Sequence, residues 1–445
     1  MLCTLLWPCA KHDTLSVEFL GRGSFNCVFG ISMMITGDKT TEYVLRIPRD
    51  DTTLTNTVAI LQYLTKSTDL KVPKVITWDA TRNNPLENGY VILSRIPGKC
   101  LESVRRDLPH DQKLLLAKEL ARLYRQIESV TNPSAGSIKA HKQDTKYCDE
   151  LGDRTFVEAF GAEALISPAN PVDWHTPKDG ILPTRCDPPG LSVNDIMAAI
   201  FKRRIYERKN QEEPGILEAR WYELCQTIVE DMIDMGLFES QKDEVCLLHP
   251  DLFPRNIMVD FSPDITITGV LDWDVALFAP RFAGRVLPRW LWQSRPETRI
   301  DNFQIEPLDP KDKEPDSPEH AEIKLVFDNA VGESWVYEGT SEWFSLARAL
   351  LSFSRDLWHY PGFTDWNIET WTEKWKSLST DAVENLYFWA EKWNIFEEPD
   401  SPEHEETKLG ATNRNSNNLS SNREDGKDMS YDKDDSTDSQ GGFTD

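Results

Sequence analysis

Short runs of β-branched and aromatic residues fill the first hundred positions, and they are broken by glycine- and polar-rich turns. LSVEFL (15–20) alternates apolar and polar residues, CVFGISMMI (27–35) follows a GRGSFN turn, and EYVLRI (42–47) follows GDKT. These patterns predict strands. NTVAILQYL (56–64) instead puts Val58, Leu61 and Leu64 on one helical stripe, and GYVILSRIPG (89–98) reads as a buried strand closed by Pro-Gly. The pattern predicts a small antiparallel sheet of five strands over about 15–95, with one packed helix.

From about residue 99 the apolar period lengthens to that of helices. DQKLLLAKELARLYRQIESV (111–130) places Leu114, Ala117, Ala121, Tyr124 and Ile127 on one face. PGILEARWYELCQTIVEDMIDMGLF (214–238) does the same with Trp221, Cys225, Ile228, Met232 and Met235. SEWFSLARALLSFSRDLW (341–358) and TDAVENLYFWAEKW (380–393) predict the last helices. Residues 131–190 are rich in Pro, Gly and Asp, lack a period, and read as insertion or loop. The heptapeptide EPDSPEH occurs at 314–320 and again at 398–404, which reads as two similar surface linkers. The resulting division is 1–98, 99–396 and an acidic tail over 397–445.

Composition narrows the partners. The 445 residues carry a formal net charge of −25, which argues against nucleic acid or an anionic membrane as a partner. The eight cysteines form no C-x-x-C pair, so spacing suggests neither a zinc site nor a redox dithiol, and reduced thiols are the simpler reading. MLCTLLWPCA (1–10) is apolar but too short to span a bilayer and lacks the basic start of a secretion signal. These features predict a cytoplasmic chain.

The strongest chemical signal is LLHPDLFPRNIMVDFSPDITITGVLDWDVA (247–276). His249-x-Asp251-x-x-x-x-Asn256 precedes a predicted hairpin that ends at Asp272-Trp273-Asp274. Phosphoryl transfer needs a carboxylate to take the acceptor proton and oxygen ligands for the magnesium bridging the phosphates. An Asp and an Asn on one tight loop, with a further Asp at the end of the returning strand, can supply both. LGRGSFNCVFGI (20–31) adds Gly21 and Gly23, which let backbone amides approach phosphate, and Ser24 as a further donor. His12, His110, His141 and His175 lie in polar surroundings without metal-ligand spacing.

On HPDLFPRNIMVD and GVLDWDVA the chain resembles the aminoglycoside phosphotransferase and choline-kinase-like group, particularly its fungal-type members. The resemblance implies an α+β, bilobal protein-kinase-like fold, with a small antiparallel-sheet lobe and a larger, mainly helical lobe. It implies Asp251 as catalytic base, Asn256 and Asp272 as Mg²⁺ ligands, and His249 as the residue that holds the loop. Asp274 stands where the family often has Glu. Gly21, Gly23, Ser24 and Arg46 would meet the phosphates of ATP or GTP. Val28 and Val44 would roof the adenine, Met258 and Leu271 would floor it, and Ser94–Gly98 would be the hinge. The acceptor would be a small-molecule hydroxyl.

One departure stands out. Arg46 replaces the family's strand lysine, Thr57 stands where related helices carry Glu, and 52–68 contains no acidic residue. Arg46 then binds phosphate alone, another carboxylate substitutes, or the chain is a silent kinase-fold protein that binds nucleotide or a partner. A protein kinase fits less well, because Phe253 replaces the lysine typical of those loops and the metal segment reads DWD. The tail carries its own expectation: with almost no aliphatic residues beyond about Glu397, it buries too little apolar surface to offset ordering entropy. Truncation after residue 400 should move the melting temperature by less than about 2 °C in a thermal scan.

Overall fold

The computed structural model describes residues 2–8, 11–23, 25–34, 40–49, 54–133, 135–140, 155–159, 192–202, 205, 216–239, 241, 245–293, 310–355 and 361–378. Ser24, His141, His175, the expected helix over 380–393, the second EPDSPEH and the acidic tail lie outside them.

The first sheet contains β1 (Lys11–Arg22), β2 (Asn26–Met34), β3 (Thr40–Pro48), β4 (Val75–Asp79) and β5 (Tyr90–Ser94). It is antiparallel in the order β1-β2-β3-β5-β4. Alternation along β5 splits its apolar residues between two faces. Tyr90 and Ile92 join Ile31, Met33 and Leu45 in a small outer core, while Val91 and Leu93 join the main core. The outer core explains the apolar opening of the chain: helix α1 (Leu2–Leu6) buries Leu2 there, and Trp7 stacks on Tyr43 at 4.9 Å between ring centres. Helix α2 (Leu54–Ser67) covers the inner face with Val58, Leu61 and Leu64, and Thr57 is buried beside them. Strand β4 was not read from the sequence, because VITWD is short and mixes polar positions with apolar ones.

Beyond the hinge, helix α3 (His110–Glu128) buries Ala117, Ala121, Tyr124 and Ile127, with Leu114 only half-buried. Helices α4 (Val193–Ala199) and α5 (Ile216–Asp234) follow. Trp221, Cys225, Ile228 and Met232 of α5 are buried as expected, but Met235 is exposed, because the helix ends at Asp234 and Gly236 turns with φ +75°. The helical part also holds two sheets, of which the sequence pattern revealed only the hairpin that follows Asn256. One runs β7 (Thr131–Asn132), β10 (Val245–Leu248), β13 (Leu277–Pro280), β8 (Gly136–Ala140) and β9 (Thr155–Ala159). The other pairs β12 (Ile265–Val270), β11 (Ile257–Phe261) and β6 (Lys99–Cys100). The stretch 131–190 therefore contains strands rather than loop alone.

Helices α6 (Pro318–Val331), α7 (Glu333–Thr340), α8 (Glu342–Arg355) and α9 (Pro361–Leu378) complete the described chain. The first EPDSPEH is not a linker: Ser317 caps α6, its Oγ accepting the His320 N–H at 3.2 Å, with Pro318 in the first turn. The late tryptophans are structural. Trp292 packs on Phe327 at 5.7 Å, and Trp335 packs on both Phe327 and Tyr124 at 5.4 Å. No helix among the described residues is long and apolar enough to cross a membrane. The five cysteines described (Cys3, Cys27, Cys100, Cys225 and Cys246) are unbridged.

The hinge is a point of close backbone approach. Gly98 has φ +102°, and a Cβ there would lie 2.3 Å from the Val259 carbonyl oxygen. The Thr268 hydroxyl donates to the Pro97 carbonyl at 2.6 Å, which fixes the hinge on the hairpin. Gly98→Ala should destabilise the protein by at least about 2 kcal/mol in denaturant unfolding, since a positive φ and a rigid backbone clash act together.

Candidate functional site

The site is assembled on two segments, the loop between β10 and β11 and the chain leaving β12. His249 joins them. It is buried, and the Asp251 N–H donates to its Nδ1 at 3.2 Å. Nδ1 therefore carries no proton, and Nε2 is the donor to the Leu271 carbonyl at 2.9 Å. Burial lowers the His249 pKa and keeps the ring neutral, against the opposing influence of its Leu271 hydrogen bond and of Asp251. The ring also meets Trp273 edge-on at 4.5 Å. In return the Leu271 N–H donates to the Asn256 carbonyl at 2.7 Å. With both nitrogens occupied, His249 is a positioning residue.

Asp251 and Asn256 lie at the two ends of the loop, and the short turn Pro254–Asn256 brings them together. Asn256 Nδ2 donates to the Asp251 carbonyl at 2.8 Å and to its Oδ2 at 2.7 Å. That commits the amide nitrogen and leaves Oδ1 as the oxygen the side chain can offer a cation. Arg255 donates from Nη2 to Asp251 Oδ1, and its guanidinium carbon lies 4.7 Å from the Phe253 ring centre. The Cys100 thiol donates to the Arg255 carbonyl at 3.4 Å and pins the turn to β6.

The DWD segment turns sharply. Asp272 has φ +61°, a left-handed conformation that Asp tolerates better than most residues. Trp273 is buried, its Nε1 donating to the Val270 carbonyl at 2.9 Å, while the aspartates on either side meet Arg46. Arg46 grips Asp274 with both nitrogens, Nη2 to Oδ2 at 2.6 Å and Nη1 to Oδ1 at 3.1 Å. It reaches Asp272 Oδ1 at 3.4 Å. The carboxylate missing from α2 is thus supplied by Asp274. Burial works against the Arg46 charge, but Asp274 and Asp272 outweigh it and raise the pKa. The Asp272 pKa is also raised, by desolvation first and then by the charges of Asp274 and Asp251, against Arg46 and Arg255. The Asp272 side chain is 48% exposed and remains open to a ligand.

Of the expected nucleotide residues, Val28 lies directly opposite Arg46, and Val44 lies two residues before Arg46 on the same face of β3. Both are half-buried. Gly21 pairs with Val28 beyond a bulge in β1, and the Gly23 N–H closes the turn on the Asn26 carbonyl at 2.9 Å. Met258 pairs with Cys100 and Gly269, and Leu271 contributes its backbone to the tie with His249. Sequence reasoning passed over Arg255 and left the part of Asp274 open. An arginine one position before Asn256, and the absent helix acid, were the available signals.

Among the described residues no group of three or more His, Cys, Asp or Glu is placed to hold a metal by itself. His110, read as an ordinary polar histidine, pairs with Glu319 at 3.1 Å and Glu322 at 2.9 Å.

A family model described as the phosphotransferase enzyme family matches residues 33–283. Two subtelomeric hrmA-associated cluster proteins, from two strains of Aspergillus fumigatus, are 23% and 22% identical over 305 residues. Each match covers 59% of this chain and 58% of the relative, so the chain spans less than two thirds of their length. Among solved structures, a GDP complex of an aminoglycoside 2'-phosphotransferase-IIIa variant is 15% identical with TM-score 0.41, covering 86% of this chain and 97% of that one. ADP-bound aminoglycoside phosphotransferase APH(2'')-Ib is 11% identical with TM-score 0.42, covering 80% and 92%. With the family model matched over more than half its length, the chain belongs to the phosphotransferase enzyme family.

Proposed function

We propose that this protein transfers the γ-phosphoryl group of ATP or GTP to a hydroxyl of a small molecule, with Mg²⁺. The observation that carries this reading is the tie between the catalytic loop and the DWD segment. It holds a carboxylate (Asp251), an amide oxygen (Asn256), a second carboxylate (Asp272) and an anchored guanidinium (Arg46) in one constellation. Asp251 takes the proton of the acceptor hydroxyl. Arg46, oriented by Asp274, meets the phosphates from the sheet side, with the amides of the Gly21–Gly23 turn and Ser24. Val28 and Val44 above, and Met258 and Leu271 below, enclose the base.

The donor set fits Mg²⁺. Asn256 Oδ1 and Asp272 are hard oxygen ligands, and this ion takes few protein ligands, completing its shell with phosphate and water. Asp272, Asp274 and Asp251 leave negative charge that two arginines do not fully offset, which a divalent cation would relieve. When bound, the ion would neutralise charge on the phosphates. Residues 1–98 would carry the nucleotide, 99–396 the catalytic loop and acceptor, and 397–445 would be dispensable. The cytoplasm, rich in nucleotide and reducing enough for free thiols, is the proposed compartment.

The alternative is a silent kinase-fold protein, and it drew its support from the missing ion pair. The bidentate Arg46–Asp274 contact favours the active enzyme over that reading. A nucleotide-turnover assay with Mg²⁺ against a panel of hydroxylated metabolites tests the choice. Asp251→Ala should lower kcat by about 10²-fold or more while Mg²⁺–nucleotide affinity holds. Asp272→Ala should weaken Mg²⁺–nucleotide binding as well, and Arg46→Lys should reduce affinity or turnover because lysine cannot grip Asp274 bidentately. Nucleotide binding without turnover of any acceptor, unaffected by Asp251→Ala, would establish the silent alternative.

A further inference from the structure

We infer that Arg255 is a catalytic residue: it holds Asp251 until nucleotide arrives, then moves its guanidinium to the phosphoryl group being transferred. The inference rests on phosphotransfer at this site and adds a second cation to it. Two arginines stand beside the three aspartates, and they are held differently. Arg46 has both terminal nitrogens on Asp274 and is 13% exposed, so it is fixed. Arg255 is 43% exposed and, among the described residues, its guanidinium has one hydrogen-bond partner, Asp251 Oδ1. Its other support is the face of Phe253, a broad surface over which a planar cation can slide. Its backbone is fixed by contrast, through the Cys100 thiol on its carbonyl and the buried Asn256 next to it. An immobile root with a loosely held, multidonor head suits a group that changes partners.

The chemistry gives it two partners in turn. As Arg255 and Asn256 are placed, both Asp251 oxygens already accept a hydrogen bond, Oδ1 from Arg255 and Oδ2 from Asn256. In the transfer, the acceptor oxygen forms its bond to Pγ while the bond from Pγ to the bridging oxygen breaks. The electron pair of that bond leaves with the nucleoside diphosphate, and the hydroxyl proton passes to Asp251. Negative charge is spread over the three equatorial oxygens of the phosphoryl group, next to the oxygen being activated. Moving the guanidinium there withdraws its hydrogen bond from Oδ1, so that the carboxylate can accept the hydroxyl proton, and places a forked donor on the developing charge. One displacement thus readies the base and stabilises the transition state.

Binding of MgADP, alone and with aluminium fluoride as mimic of the transferred group, separates this from a structural role. The full chain would be compared with Arg255→Ala and the near-isosteric Arg255→Gln, each checked for folding by circular dichroism. Both variants should bind MgADP within about 2-fold of wild type, yet lose about 10²-fold or more in affinity for the fluoride complex, and kcat should fall by about 10³-fold. Added guanidinium ion should partly restore kcat in Arg255→Ala. Equal affinity of wild type and both variants for the fluoride complex would overturn the inference while leaving phosphotransfer intact. A wild type that binds no MgADP would overturn both. If Arg255→Ala fails to fold, Arg255→Gln decides alone.

Discussion

The Leu271 backbone accepts from His249 Nε2 through its carbonyl and donates to the Asn256 carbonyl through its N–H. The first spans 22 positions of the sequence and the second 15, and the remaining chemistry depends on them. Because both His249 nitrogens are occupied, the imidazole acts as a rigid strut rather than an acid or base. The Asp251 N–H on Nδ1 sets the loop at one end, and Asn256 sets it at the other. Asp251 and Asp272 are thereby held near one another despite like charge. Such an arrangement survives only where surrounding bonds over-determine it.

Charge is balanced by pairing across the two parts of the structure. Arg46 comes from the first sheet, and Asp272 and Asp274 come from the hairpin beyond the hinge. The usual partner for such a cation would sit on α2, but α2 has no acidic residue and buries Thr57 instead. Moving the carboxylate to the DWD segment couples Arg46 directly to the residues proposed to face the metal. A helix-borne acid would respond to helix position, whereas Asp274 is locked to the fully buried Trp273. The grip on Arg46 is consequently as rigid as the core beneath it.

The cores serve the same end. The first sheet is apolar on both faces: α2 covers the inner one, where β2 and β3 hold Val28, Val44 and Arg46, and α1 buries Leu2 against the outer one. On the other side, packing of Trp273 against His249 extends the main core directly under the polar residues. Trp292, Phe327 and Trp335 hold α3 and α6 together.

Periodicity and spacing exposed four strands of the first sheet, helices α2, α3, α5 and α8, the loop carrying Asp251 and Asn256 and the segment carrying Asp272, because each is a local pattern. Strand alternation and helical stripes follow from backbone geometry, and a catalytic loop must keep its residue types at fixed offsets. Short strands such as Val75–Asp79 and Gly136–Ala140 were illegible, since their pairing partners lie far away and so few residues carry no period. Ser317 could not be told from a linker residue until the helix it caps was in view. The partner of Arg46 was equally hidden: the pattern showed a carboxylate missing from α2 but held nothing to point 228 positions onward. Ion pairs and hydrogen bonds between distant segments depend on separations in space, and only the tertiary structure brings Arg46 to Asp274.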